Sequence, residues 1–98
     1  MIIELVEMDV KPGSEAAFET AFGPAIELVR RSKGCLSARL LHGIENPSRF
    51  RVVVEWETLE DHTEGFRGSP DHTLFRDIIR PYVVRSAPTE HHTVVLQT

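Results

Sequence analysis

A chain of 98 residues has room for one domain, and 41% hydrophobic with 27% charged residues is the composition of a globular protein in water. A net charge of −4 with no basic block argues against nucleic acid and anionic membrane as partners. There is no apolar run of about 18 residues and no secretory pattern. The lone Cys35 excludes an internal disulfide framework, so the expected location is the cytoplasm.

Ile2 to Val10 reads as a first strand, with Ile2, Val6, Met8 and Val10 on one face and Ile3 and Leu5 on the other. Lys11-Pro12-Gly13-Ser14 ends it and places Ser14 to cap a helix. From Glu15 to Ser32 the apolar residues Phe18, Phe22, Ala25, Ile26 and Val29 recur at helical spacing. Gly23-Pro24 predicts a kink within it, and Gly34 is a suitable residue just past its end. Cys35 to Ile44 reads as a second strand, with Leu36, Leu40 and Ile44 opposed to Cys35 and Leu41. Glu45 to Ser48 is the turn into a third.

That third strand, Phe50 to Trp56, alternates Phe50, Val52, Val54 and Trp56 with Arg51, Val53 and Glu55. Thr58 then caps a helix on which Leu59, His62 and Phe66 share the inward stripe. Arg67-Gly68-Ser69-Pro70 breaks this helix and caps another, which carries Leu74, Phe75, Ile78 and Ile79 and ends near Arg80-Pro81. Tyr82 to Pro88 is expected to be irregular, and Glu90 to Gln97 to form the fourth strand. The order β-α-β-β-α-β predicts one α+β domain over residues 1–98, a ferredoxin-like antiparallel sheet with helices on one face. The uncovered face carries apolar residues too, so a two-fold homodimer through that face is expected.

Three residues are candidates for chemistry. His62 titrates near neutrality and could act as a general base, although an inward His is also satisfied by one buried partner. Trp56 could stack on an aromatic ligand or serve simply as core. Arg76, beside Phe75, could stabilise an oxyanion or stand in solvent. With Val52, Val54, Phe66 and Phe75 as an apolar wall, these make a candidate site for a small aromatic ligand. No metal is expected: His91 and His92 are adjacent on a strand and point to opposite faces, and His42, His62 and His72 lack ligand spacing. No phosphate loop, nucleophile motif or dinucleotide fingerprint occurs.

The strand ending Val54-Glu55-Trp56, the following Glu57-Thr58-Leu59-Glu60-Asp61-His62, the Ser69-Pro70-capped helix and the late strand from Glu90 to Leu96 resemble the antibiotic biosynthesis monooxygenase (ABM) domains. These include quinol monooxygenases and anthrone oxygenases. The resemblance implies a dimeric α+β barrel with a pocket between each subunit's sheet and helices. It implies no cofactor, because the anion of an electron-rich phenol or anthrone reduces O₂ directly. In the anthrone oxygenases the pocket positions correspond to Trp56, His62 and Arg76 of this chain. Val52 stands where those enzymes carry Asn, and His62 where they carry Tyr. The Asn, Trp and His of the haem-degrading branch fall at Glu7, Gly65 and Phe75, which argues against haem as a substrate. The competing expectation is a non-catalytic dimeric domain that binds a small ligand or serves in stress response.

Overall fold

The computed structural model describes residues 1–98. Strands β1 (Ile2–Val10), β2 (Cys35–His42), β3 (Arg49–Trp56), β4 (Val83–Ser86) and β5 (Glu90–His92) form one antiparallel sheet in the order β2-β3-β1-β4, with β5 also on β1. Helices α1 (Glu15–Arg30) and α2 (Pro70–Ile79) follow β1 and β3, and a π-helical turn spans Asp61–Phe66. This is the expected α+β, ferredoxin-like arrangement. No helix is long and apolar enough to cross a membrane.

Period-two alternation explains the core. Val6, Met8 and Val10 of β1 and Phe50, Val52, Val54 and Trp56 of β3 are buried against Phe18, Phe22, Ala25 and Val29 of α1 and Phe75 and Ile79 of α2. Phe18 is the hub, with ring centroids 5.4 Å from Phe22 and 4.9 Å from Phe50. A bidentate Arg31–Asp71 pair ties the end of α1 to the start of α2.

Several boundaries differ from the sequence expectation. Ser14 does not cap α1; its φ of −102° and ψ of 6° lie outside the extended cap geometry. The Glu15 carboxylate instead accepts from the Gly13 amide at 2.9 Å and the Ser48 hydroxyl at 2.7 Å. Pro24 lies inside an unbroken α1. In β2, an irregularity at Leu36 shifts the register between Cys35 and Ser37. Cys35, Ala38 and Leu40 therefore pack on the core while Leu36 is exposed, and Ile44 falls beyond the strand. The fourth position of the sheet is filled twice: β4 pairs with Met8–Val10 and β5 with Ile3–Leu5. Tyr82–Pro88 thus contains a strand, and pairing stops at His92 rather than Gln97.

The uncovered face is only partly apolar. Glu7 opposes Arg51 and Asp9 opposes both Arg49 and Arg85 across the strands, giving a network of ion pairs at 2.7–3.0 Å. The arginines hold the Glu7 and Asp9 carboxyls below the usual range.

Gly34 enters β2 at φ 83°, and a Cβ there would strike the Asp61 side chain at the start of the π-helical turn. Gly13, at φ 89°, has open space around it. Gly34→Ala is therefore expected to cost about 2 kcal/mol or more, and Gly13→Ala only about 1 kcal/mol. Urea titration of the two variants checks the order; equal costs would remove the steric argument.

Candidate active site

The π-helical turn is started by its cap. Thr58 Oγ1 accepts from the Asp61 amide at 3.1 Å, as the sequence suggested, and the Arg67 amide then reaches back five residues to the His62 carbonyl at 3.0 Å. The winding turns His62 and Phe66 inward, both buried, and leaves Leu59 exposed. Ser69, extended and followed by Pro70, caps α2 by accepting from the His72 amide at 3.3 Å. Phe75 and Ile79 face the sheet, and Arg76 stands beside them.

Between sheet and helices lies a cavity of about 340 Å³. Val52 and Val54 form its floor with Val6 and Met8, and Phe66, Phe75 and Ile79 its walls. Polar groups enter at His62, Glu4, His72 and the arginines Arg67, Arg76 and Arg80. The structure therefore brings His62, Arg76, Phe66, Phe75, Val52 and Val54 to one cavity. Trp56 is not part of its lining. It is fully buried behind His62, with the rings stacked at 5.4 Å and 22°. A ligand in this cavity meets Trp56 only through its neighbours.

Three residues in or beside the site were not singled out from the sequence. Glu4 is buried and accepts the Trp56 indole N–H at 2.9 Å on Oε1. His62 Nε2 lies 3.4 Å from the same oxygen, and its Nδ1 lies 2.8 Å from Nε2 of His91. Arg67 makes no ion pair with any carboxylate, yet its charge acts on Glu4, His62, His72 and His91 together. The available signal for Glu4 was an interruption: it is the one charged residue in the otherwise apolar series Ile2, Val6, Met8, Val10. His91 had no comparable signal. It is reached only because β5 pairs with β1, placing His91 directly opposite Glu4.

Electrostatics follow from this burial. Desolvation raises the Glu4 carboxyl above the usual range, against the opposing pull of Trp56 and Arg67. Desolvation, with the charges of Arg67, His91 and His72, lowers His62 to about 4, so the imidazole is neutral at pH 7. His72 is lowered by burial and by Arg76 and Arg67. No group of three His, Cys, Asp or Glu side chains is arranged to hold a metal ion. The arrangement is an apolar cavity with the Glu4 carboxyl and the His62 imidazole close together at one side and two arginines without a carboxylate partner, Arg67 and Arg76, at its rim. It can accept a proton and stabilise an anion.

Comparison with known proteins places the chain. The family described as antibiotic biosynthesis monooxygenase (ABM) matches residues 1–77. The uncharacterised protein YczJ of Bacillus subtilis (strain 168) is 35% identical over 91 residues, covering 93% of this chain and 96% of YczJ. The crystal structure of a protein of Bordetella bronchiseptica, assigned as a candidate antibiotic biosynthesis monooxygenase, superposes with a TM-score of 0.91 at 35% identity over 97% of both chains. SnoaB of Streptomyces nogalater, described as a cofactor-independent oxygenase and solved as an asparagine-to-alanine mutant, shares the fold at 16% identity, with a TM-score of 0.84 over 98% of this chain and 94% of SnoaB. The chain belongs to the antibiotic biosynthesis monooxygenase family.

Proposed function

We propose that this protein is a cofactor-independent monooxygenase that oxidises a quinol, anthrone or similar polycyclic phenol with O₂. The observation that carries the reading is the cavity itself, where apolar walls enclose a proton acceptor and face two arginines, Arg67 and Arg76, that no carboxylate neutralises. Its volume lies at the lower end of the roughly 300–1,000 Å³ of ligand sites, which favours a compact ligand. Family membership and the description of SnoaB support the same chemistry.

The reaction balances without a further redox partner. A ring CH₂ flanked by phenolic rings loses a proton to the Glu4–His62 pair, and its electron pair delocalises into an anion held by Arg76 and Arg67. That anion gives its electrons to O₂, forming a carbon–oxygen bond and a peroxide. The peroxide regains the proton, and the hydroperoxide loses water to leave a carbonyl. One oxygen atom enters the product and the other leaves in water. Trp56 serves the site from behind, by holding Glu4 and stacking on His62.

Oxygen uptake by the protein with a hydroquinone and anthrone panel tests the reading, and uptake no faster than in buffer would refute it. A ligand that binds without uptake would support the non-catalytic alternative. Arg76→Ala is expected to lower kcat/KM about tenfold, the weight of one hydrogen bond to a charged group. Steady-state kinetics check this, and an unchanged value would take Arg76 out of the site.

The partner we propose for the uncovered face is a second copy of the chain. Exposed Leu36 and Leu41, partly exposed Ile3, Leu5 and Val53, and the exposed Val94, Val95 and Leu96 beyond β5 gain cover that the monomer does not give them. Sedimentation is expected to give the mass of two chains at micromolar concentration. A stable monomer there would refute the dimer.

A further inference from the structure

Both nitrogens of the His62 imidazole already face protein groups. Nε2 faces Glu4 Oε1 at 3.4 Å and Nδ1 faces His91 Nε2 at 2.8 Å, while one ring face is stacked on Trp56. The residue most often expected to act as base therefore has no free nitrogen to offer a ligand. Glu4 differs. Trp56 and His62 both converge on its Oε1, whereas Oε2 makes no hydrogen bond within the chain, and Glu4 lines the cavity. Resting on the oxygenase reading above, we propose that Glu4 takes the substrate's proton at Oε2, and that His91 is a positioning residue that holds His62 in the tautomer that donates to Glu4.

The hydrogen-bonding inventory fixes the direction of the chain. The indole N–H of Trp56 can only donate, so Oε1 is an acceptor. A neutral imidazole carries one N–H. With Glu4 ionised, the Nδ1–H tautomer of His62 would set the Nε2 lone pair against Oε1. The Nε2–H tautomer points its N–H toward Oε1 instead, which leaves Nδ1 as an acceptor that needs a donor. His91 Nε2–H supplies it at 2.8 Å. At 3.4 Å the approach of Nε2 to Glu4 is not a formed hydrogen bond in the unliganded site, and contacts of this kind often tighten only when substrate closes the site.

Backbone register makes the set: Glu4 pairs with His91 on one side and Val54 on the other, and Trp56 is the diagonal neighbour two residues beyond Val54. The charged and titratable groups around Glu4, His62 and His91 are Arg67, His72 and Arg76 from the helical side, His91 and His92 from β5, and Cys35 from β2. Burial raises Glu4 and lowers His62, so the carboxylate is the better proton acceptor of the two. In the step itself the C–H bond breaks, its electron pair stays on the substrate, and the proton makes Glu4 a neutral acid, to be returned to the peroxide.

Deuterium exchange at the acidic CH₂ of anthrone in D₂O without oxygen reads proton removal apart from oxidation; oxygen uptake in air reads the whole reaction. Glu4→Gln is expected to slow both by about 10²–10³-fold while anthrone still quenches Trp56 fluorescence at similar concentrations. His91→Ala is expected to slow both about tenfold and shift the acid limb of the pH profile, and His91→Gln, which keeps a donor, to recover most of the loss. ¹⁵N NMR of the unliganded wild type at neutral pH is expected to show His62 protonated at Nε2. Exchange by Glu4→Gln at the wild-type rate, no exchange by the wild type, or an Nδ1–H His62 would each overturn the proposal. Exchange without oxygen uptake would refute the oxygenase reading and leave Glu4 in its role. Undiminished uptake by Glu4→Gln would do the reverse.

Discussion

Trp56→Ala is expected to destabilise the protein by about 3–5 kcal/mol, the range for removing a large aromatic from a closed core. Trp56 has no exposed surface and contacts Phe66 as well as His62, with ring centroids 6.0 Å and 5.4 Å away. The truncation also leaves the buried Glu4 without its 2.9 Å donor, which adds about 1–3 kcal/mol if the carboxylate stays desolvated. A domain of this size has about 5–15 kcal/mol in total, so the variant should be close to unfolding at physiological temperature. Trp56→Phe separates the two effects, because it keeps most of the ring volume and loses the indole N–H. Its expected cost is about 1–3 kcal/mol in the native background, falling well below that when Glu4 is also replaced by Met. Urea unfolding followed by circular dichroism measures the wild type and all four variants. Equal costs in the two backgrounds would mean that the Trp56–Glu4 bond contributes nothing.

The same contrast between volume and polar pairing explains which parts of this fold are legible in the chain. The apolar series Val6, Met8, Val10 and Phe50, Val52, Val54, Trp56 alternate without error, so burial dictates both strands and the face the helices must cover. Phe18, Phe22, Ala25 and Val29 do the same for α1. Local rules give less where a longer-range contact overrides them. Leu36 is apolar and in phase, yet the shift in β2 register turns it outward. Ser14 precedes a helix, but Glu15 finds better donors in Gly13 and Ser48. In the site, Phe66, Phe75 and Val54 follow from periodicity, and Arg76 from its place beside Phe75. Glu4 and His91 do not, because Glu4 is the one charged member of the apolar face of β1, His91 lies on no apolar stripe, and nearly the whole chain separates them. Only the pairing of the last strand with the first makes them neighbours. Arg67 likewise reads as a surface residue in a turn until the cavity is seen to open beside it.

Between pH 6.5 and about 4 the folded protein should lose up to roughly 3 kcal/mol through His62 alone. The imidazole is buried and lowered to about 4, whereas the unfolded chain protonates it near 6.5. Above pH 6.5 both states hold it neutral and it has no effect. Below that the unfolded state binds a proton that the folded state refuses, so stability falls with pH until the folded site also protonates. At about 1.4 kcal/mol per pH unit, the interval limits the loss to the figure given. Glu4 acts in the opposite direction. Its folded carboxyl is raised, so its contribution is fully present below 4.5 and is lost as pH rises through the folded value. The two partly cancel in the wild type, which is why the raw pH curve is the wrong observable. His62→Gln removes one of them, and the ion-paired carboxylates Glu7, Asp9 and Asp71 affect both proteins alike. The stability of wild type minus His62→Gln should be flat above pH 6.5 and fall steadily from there toward pH 4. Curves that stay parallel across that window would mean that His62 is hydrated in the folded state, and that the dry cavity wall on which its neutrality depends does not exist.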